Sequence, residues 1–166
     1  VDVIFVLPGG AILPVYDPII DSPIRHVLVR HEQGAGHMAE GYAQATGRPG
    51  VAMVTRGPGA TNASAGIHIA EHDSTPLILF VGQIERGVRG RGAWQELDYK
   101  AVFGSMTKWA VEIDDVSRIP EIVSRAFHVA MQGRPATVVI ALPEDMLLAA
   151  TGAAAGPRVE PVDTWP

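Results

Sequence analysis

Six consecutive residues, Arg30-His31-Glu32-Gln33-Gly34-Ala35, concentrate more potential chemistry than any other stretch of the chain. They follow the apolar run Val27 to Val29 and open a small-residue helix that runs toward Gly47. A switch from strand to helix puts Glu32 beyond the carboxyl end of a strand, where open α/β sheets bind their ligands. Val27 to Val29 before it and Gly34 to Gly36 after it are apolar or glycine, so partial burial of the carboxyl is expected. A carboxyl withdrawn from water can share a proton with a ligand nitrogen near neutral pH. The same position also suits a first-turn Glu that only complements the helix dipole.

Two glycine-bearing turns accompany it. Leu7-Pro8-Gly9-Gly10 ends an apolar run, and glycines there let a backbone pass close to a ligand or simply make an ordinary strand–helix turn. Thr55-Arg56-Gly57-Pro58-Gly59-Ala60-Thr61-Asn62 ends another run and starts a helix. Gly57 and Gly59 have the spacing of a dinucleotide fingerprint, but Asn62 stands at the third glycine and no acidic residue ends the next strand. Pro58 also removes an amide that a phosphate cradle would use. A zinc-helix site needs histidines four apart, and His31 and His37 are six apart. His68 and His72 are four apart but lack an evident third ligand, so a solvated or interface helix face is expected. No Gly-x-Ser-x-Gly elbow supports a hydrolase triad.

The elements that must position these residues alternate. Strand-like runs occupy Val3–Leu7, Ile24–Val29, Val51–Thr55, Leu77–Val81 and Thr137–Leu142, several of them apolar at nearly every position. Such runs suit strands buried on both faces of a parallel sheet. Helix-like segments fall at Ile12–Ile20, His31–Thr46, Ala60–His72 and Ile119–Gln132. Short connections between β and α segments predict an α/β, three-layer α/β/α sandwich around a mainly parallel sheet. Residues 83–108 are the least regular and should hold a loop and a short helix, and Arg86, Arg89 and Arg91 among glycines read as a mobile loop.

Composition narrows the function classes. At 166 residues the chain is one domain, read as residues 1–148, with residues 149–166 forming a proline-bearing linker toward a further domain. A net charge of −5 offers no basic face for phosphates, so no nucleic-acid partner is expected. The clean apolar stretches, with Leu77 to Val81 among the longest, are too short to span a membrane. With no cysteine there is no disulfide, and the cytoplasm is the expected compartment. A hydrophobic share of 47% is high enough to predict that part of the surface is covered by other protein, in a homo-oligomer.

As an ordered set, several segments resemble the thiamine-diphosphate enzymes. They are Pro8-Gly9-Gly10, Arg30 to Ala35 with His37-Met38-Ala39-Glu40-Gly41-Tyr42-Ala43, Gly57 to Asn62, Asp73-Ser74-Thr75-Pro76 leading to Gly82-Gln83, Trp94-Gln95-Glu96, Gly133-Arg134-Pro135 and Pro143-Glu144-Asp145. Their order and spacing are similar to the amino-terminal, pyrimidine-binding domain of the acetolactate synthase group.

That resemblance implies a thiamine diphosphate cofactor, 2-oxo acid substrates, and decarboxylation with or without carboligation, a lyase or transferase activity. It implies that Glu32 is the activating carboxyl, hydrogen-bonded to a ring nitrogen of the aminopyrimidine so that the thiazolium proton can leave. Pro58 and Asn62 match positions that pack on the pyrimidine. Pro8 and Gly9 lie in the strand-end turn near the thiazolium, and Gln95 matches a glutamine lining the reaction centre. Arg56 stands where a small Ser is usual, and Trp94 where Phe is usual, which bears on the substrate side. The chain has no Gly-Asp-Gly, so the diphosphate and Mg²⁺ ligands are expected in a carboxy-terminal domain of the same or a partner chain, and this chain alone is expected to be inactive. No metal ligand is assigned here. The alternatives are a natural stand-alone subunit of a two-subunit decarboxylase and a non-catalytic dimerisation or regulatory module.

Overall fold

The computed structural model describes residues 1–156, so the linker expected over residues 149–166 lies partly outside the described residues. Six strands, β1 (Val3–Leu7), β2 (Arg25–Leu28), β3 (Gly50–Val54), β4 (Leu77–Gln83), β5 (Trp109–Glu112) and β6 (Thr137–Pro143), form one sheet in the order β2-β1-β3-β4-β6-β5. Every neighbouring pair is parallel. The central strands β3 and β6 are buried at every position, as their unbroken apolar runs require. The edge strand β2 is half-exposed, and it starts one residue later than the apolar run that signals it.

Side chains alternate across the sheet and build two cores. Ala52 and Val54 point to the face covered by α2 (Glu32–Thr46) and α3 (Pro58–His72), together with Ala35, Ala39, Ala63 and Ile67. Val51 and Met53 point to the opposite face, against Tyr16 of α1 (Leu13–Ile20) and Ile122, Ala126 and Ala130 of α5 (Ile119–Met131). The molecule is therefore the expected three-layer sandwich, with a sheet that is parallel throughout. Two short helices complete it, α4 (Tyr99–Phe103) and α6 (Glu144–Leu147).

Helix boundaries follow local chemistry. His31 caps α2, its Nδ1 accepting from the Gln33 N–H at 3.1 Å, and Gly47 ends the helix at a φ of 68°. Gly57 caps α3 at a φ of 59°, with Pro58 in the first helical position, so α3 begins two residues earlier than Ala60. The small residues of α2 and α3 serve the contact between these two helices. A Cβ on Gly66 would lie 2.6 Å from the Gly36 carbonyl carbon, so the backbones nearly touch.

Two expectations are revised. The stretch with Arg86, Arg89 and Arg91 is tied down rather than loose: Arg86 Nε donates to Asp145 Oδ2 at 2.8 Å, and Arg89 pairs with Glu112. The sheet also gains β5, a strand of four half-buried residues with little apolar periodicity. Among the described residues, no helix is long and apolar enough to cross a membrane.

Candidate functional site

The chain enters the sheet at β1, steps outward to β2, then returns to the other side of β1 at β3. That reversal opens a crevice at the carboxyl ends of β1 and β3, the place where open α/β sheets take ligands. The turn after β1 carries Pro8 and Gly9, the turn after β3 carries Thr55 to Gly59, and α2 starts with Glu32 just past β2.

Glycines bring these segments into contact. A Cβ on Gly9 would sit 2.5 Å from Thr55 Cβ, and one on Gly59 would sit 2.8 Å from Thr55 Cγ2 and 3.4 Å from Glu32 Oε1. Thr55 is thus the hub of the crevice, wedged between two glycines that leave it room. Glu32 is half-buried, and its Oε2 accepts a hydrogen bond from Asn62 Nδ2 at 3.0 Å. Pro58 and Asn62 lie four residues apart on α3, on adjacent turns of one face, and both are exposed. Pro8 is also exposed, beside the half-buried Gly9. The sequence-predicted pyrimidine-side residues therefore line one open wall, with Glu32 set back into it.

Gln95 joins this wall from a distant segment. Its Cβ occupies the space a Gly57 side chain would fill, 2.7 Å from that glycine's ideal Cβ. Both residues carry positive φ, 59° at Gly57 and 65° at Gln95. The Gln95 loop is fastened by Glu96, whose two carboxylate oxygens accept from the Gly90 and Ala93 amides. Those amides, Gly90 first, hold the Glu96 carboxyl below the usual carboxylate range. Tyr99 closes the arrangement: its hydroxyl accepts from the Gly57 N–H at 2.9 Å and donates to the Gly82 carbonyl at 3.0 Å. Burial pushes the Tyr99 phenol up to about 12, so it stays protonated and can do both.

Other candidates fall elsewhere. Arg56 turns toward α6, where Nη1 donates to Glu144 Oε2 at 2.9 Å. Trp94 is 77% exposed next to Gln95. His68 and His72 are exposed, with ring centroids 4.6 Å apart. A cavity of about 330 Å³ opens beyond β4 and β5, lined by Gln83, Glu96, Tyr99, Glu112 and Asp114, and is separate from the crevice holding Glu32 and Asn62. Sequence reasoning missed Thr55 and Tyr99. Thr55 stands within the recognised Gly-Pro-Gly segment, whereas nothing around Tyr99 marks it in the linear chain.

Residues 1–102 match the family model described as thiamine pyrophosphate enzyme, N-terminal TPP binding domain. An acetolactate synthase of Mycobacterium bovis is 48% identical over 161 residues, covering 96% of this chain and 26% of the relative. The mitochondrial acetolactate synthase catalytic subunit of Saccharomyces cerevisiae is 48% identical over 150 residues, 90% of this chain and 22% of the relative. The large subunit from Lactococcus lactis is 48% identical over 147 residues, 88% of this chain and 26% of the relative. The chain thus spans about a quarter of the length of the curated relatives it matches. A parallel sheet with its crevice at the strand-order reversal, Glu32 set into that crevice, and a family match over residues 1–102 lead to one conclusion: the chain belongs to the thiamine pyrophosphate enzymes, as an N-terminal TPP-binding domain.

Proposed function

We propose that this chain is the pyrimidine-binding domain of a thiamine-diphosphate-dependent enzyme acting on 2-oxo acids, with an acetolactate synthase-like lyase or transferase reaction. The observation that carries this reading is the Glu32–Asn62 pair at the switch point, with Glu32 Oε2 held by Asn62 and Oε1 facing Gly59. The residues fit the aminopyrimidine of the cofactor. Gly9 and Gly59 let the turns after β1 and β3 close on Thr55 beside Glu32, and the exposed Pro58 and Asn62 offer an apolar ring and an amide to a planar heterocycle. Bound there, thiamine diphosphate supplies an acidic ring carbon and an electron sink for the bond to the departing carboxylate.

Each residue has a task in this scheme. Glu32 holds a proton at Oε1 against a ring nitrogen, while Asn62 fixes the carboxyl's rotation through Oε2. Pro58 and Asn62 bear on one face of the ring, and Pro8 and Gly9 border the reacting end. Gln95, braced on Gly57 in the same wall, lines the reaction centre and orients the 2-oxo acid. Mg²⁺ and the diphosphate are assigned to another domain, of the same chain or of a partner in a homo-oligomer working in the cytoplasm. The half-exposed Met38 and Ile69 on α2 and α3 are consistent with such a covered face. Nothing in the geometry favours the stand-alone subunit or the non-catalytic module.

The test is Glu32→Gln in the intact enzyme, which keeps the shape and removes the titrating group. Turnover under saturating cofactor is expected to fall by about 10²–10⁴-fold, the usual worth of a positioned proton-transfer group. Near-wild-type turnover would sink the assignment.

A further inference from the structure

The Tyr99 hydroxyl sits where three parts of the site meet, yet no chemical step uses it. It bridges the Gly57 N–H and the Gly82 carbonyl, so it ties the turn before α3 to the end of β4. Gly57 is the residue against which Gln95 packs, and it is held at positive φ. Gln95 is itself a non-glycine residue at positive φ, a conformation that persists only where its surroundings over-determine it. Gly57 takes that conformation freely, but Gln95 facing it does not, and Gln95 needs an external constraint. The ring stacks on Phe103 and is 2% exposed, so packing alone could anchor the side chain without its oxygen. The hydroxyl adds direction: it is hydrogen-bonded to the amide of Gly57, the residue against which the strained Gln95 packs.

The segment from Gln95 to Tyr99 is short and is held at Leu97 and Asp98. Gln83 Nε2 donates to the Leu97 carbonyl at 2.8 Å, and Asp98 caps α4 through the Ala101 N–H at 3.0 Å. Tyr99 therefore holds Gly57 directly and restrains Gln95 through this segment. We propose that Tyr99 is a positioning residue whose hydroxyl clamps the Gly57 turn to β4 and so sets the separation between Gln95 and the Glu32–Asn62 pair. The functional half of this inference rests on the cofactor reading above.

The experiment is Tyr99→Phe in the intact enzyme, alone and combined with Gln95→Ala, using pyruvate as the probe 2-oxo acid at saturating thiamine diphosphate and Mg²⁺. The phenyl ring keeps the stack on Phe103 and removes both hydrogen bonds. Turnover per folded enzyme should fall by about 10–10²-fold, the scale of an ångström-sized misplacement. Because Tyr99 acts through Gln95, the double variant should be no slower than Gln95→Ala alone, within about threefold. A purely structural role would lower the unfolding temperature and leave both numbers alone. Turnover of folded Tyr99→Phe within twofold of wild type overturns the proposal, and so do losses that multiply in the double variant.

Should Tyr99→Phe not fold, hydrogen exchange at the Gly57 amide of the wild-type enzyme decides instead. Slowing by about 10²-fold or more over a free peptide is expected for an amide held by a buried hydroxyl. Exchange at the free-peptide rate refutes the clamp. Exchange is read without the cofactor, so a failure of the cofactor reading, seen as an active Glu32→Gln, stays separate from a failure of the clamp.

Discussion

Replacing the glycines of α2 and α3 by alanine, one at a time, tests whether helix contact sets the geometry of the crevice. Alanine at an unhindered helix interior site stabilises by about 0.5–1 kcal/mol through backbone entropy alone. Gly41 is such a site: it is exposed on α2, with nothing within 4 Å of its ideal Cβ. Gly66 is the opposite extreme, since its Cβ would meet the Gly36 carbonyl carbon at 2.6 Å and the His37 nitrogen at 2.8 Å. Both obstacles are backbone, so the helices must part by about 1 Å to restore ordinary contact. Overpacking of this kind costs about 1–3 kcal/mol, from which the entropic gain is subtracted. The net loss is then up to about 2.5 kcal/mol and centred on about 1, which corresponds to about 2–4 °C at that centre for a domain of this size. Gly36 lies between the two, its Cβ 3.2 Å from the Ala63 carbonyl oxygen and from Gly66 Cα, so strain and gain should cancel to within about 1 kcal/mol.

The expected order of unfolding temperatures is therefore Gly41→Ala above wild type, Gly36→Ala near it and Gly66→Ala below. Differential scanning calorimetry gives the ranking directly. Gly66→Ala should also stretch the 3.0 Å bond between Glu32 and Asn62, because each belongs to one of the two displaced helices. A Gly66→Ala protein as stable as wild type, or more stable than Gly41→Ala, would refute the close-approach argument.

Two further outcomes are expected. The Glu96 carboxyl is held below its ordinary value by the Gly90 amide first, so its contribution to the Gln95 loop is present above the ordinary carboxylate range and disappears as pH falls through the lowered value. Protection factors across residues 88–98, with the intrinsic pH dependence of exchange divided out, should fall with acidity over that window and stay constant in Glu96→Gln; an acid response unchanged by that substitution would remove Glu96 as its cause. The isolated chain should bind thiamine diphosphate weakly or not at all and show no decarboxylase activity, and calorimetric titration revealing micromolar, Mg²⁺-dependent binding would contradict this.

Much of the architecture was legible because buried parallel strands write themselves as apolar runs. β1, β3, β4 and β6 coincide with such runs to within a residue or two, and α2, α3 and α5 with small-residue or striped segments. β5 escaped because a four-residue edge strand with every position half-buried has no period to detect. α6 escaped because four residues give barely one turn. Within the candidate site, Glu32 and Gly9 stand in strand-end turns that could be singled out from the residues, whereas Pro58 and Asn62 entered only through the resemblance carried by the Gly57 to Asn62 segment. Tyr99 could not be singled out. Its role depends on two hydrogen bonds to backbone 42 and 17 residues away, and such bonds leave no mark on neighbouring sequence.

The departure of the Gly57-x-Gly59 segment from a phosphate-binding turn has a structural sense of its own. In a dinucleotide fold the third glycine lets helix and strand pack closely, and the free amides of the turn face an anion. Here Pro58 removes one of those amides, and Asn62, at the third-glycine position, sends its side-chain amide to Glu32 on the neighbouring helix. Close helix packing is supplied further along α3 by Gly66 against Gly36. One strand–turn–helix unit thus keeps its glycine-permitted closeness while exchanging an anion cradle for a support that orients a carboxyl. Under the proposed function, the groups that hold the diphosphate come from another domain. That is consistent with a chain that covers about a quarter of its relatives and leaves Pro8, Pro58 and Asn62 facing outward from one wall of the crevice.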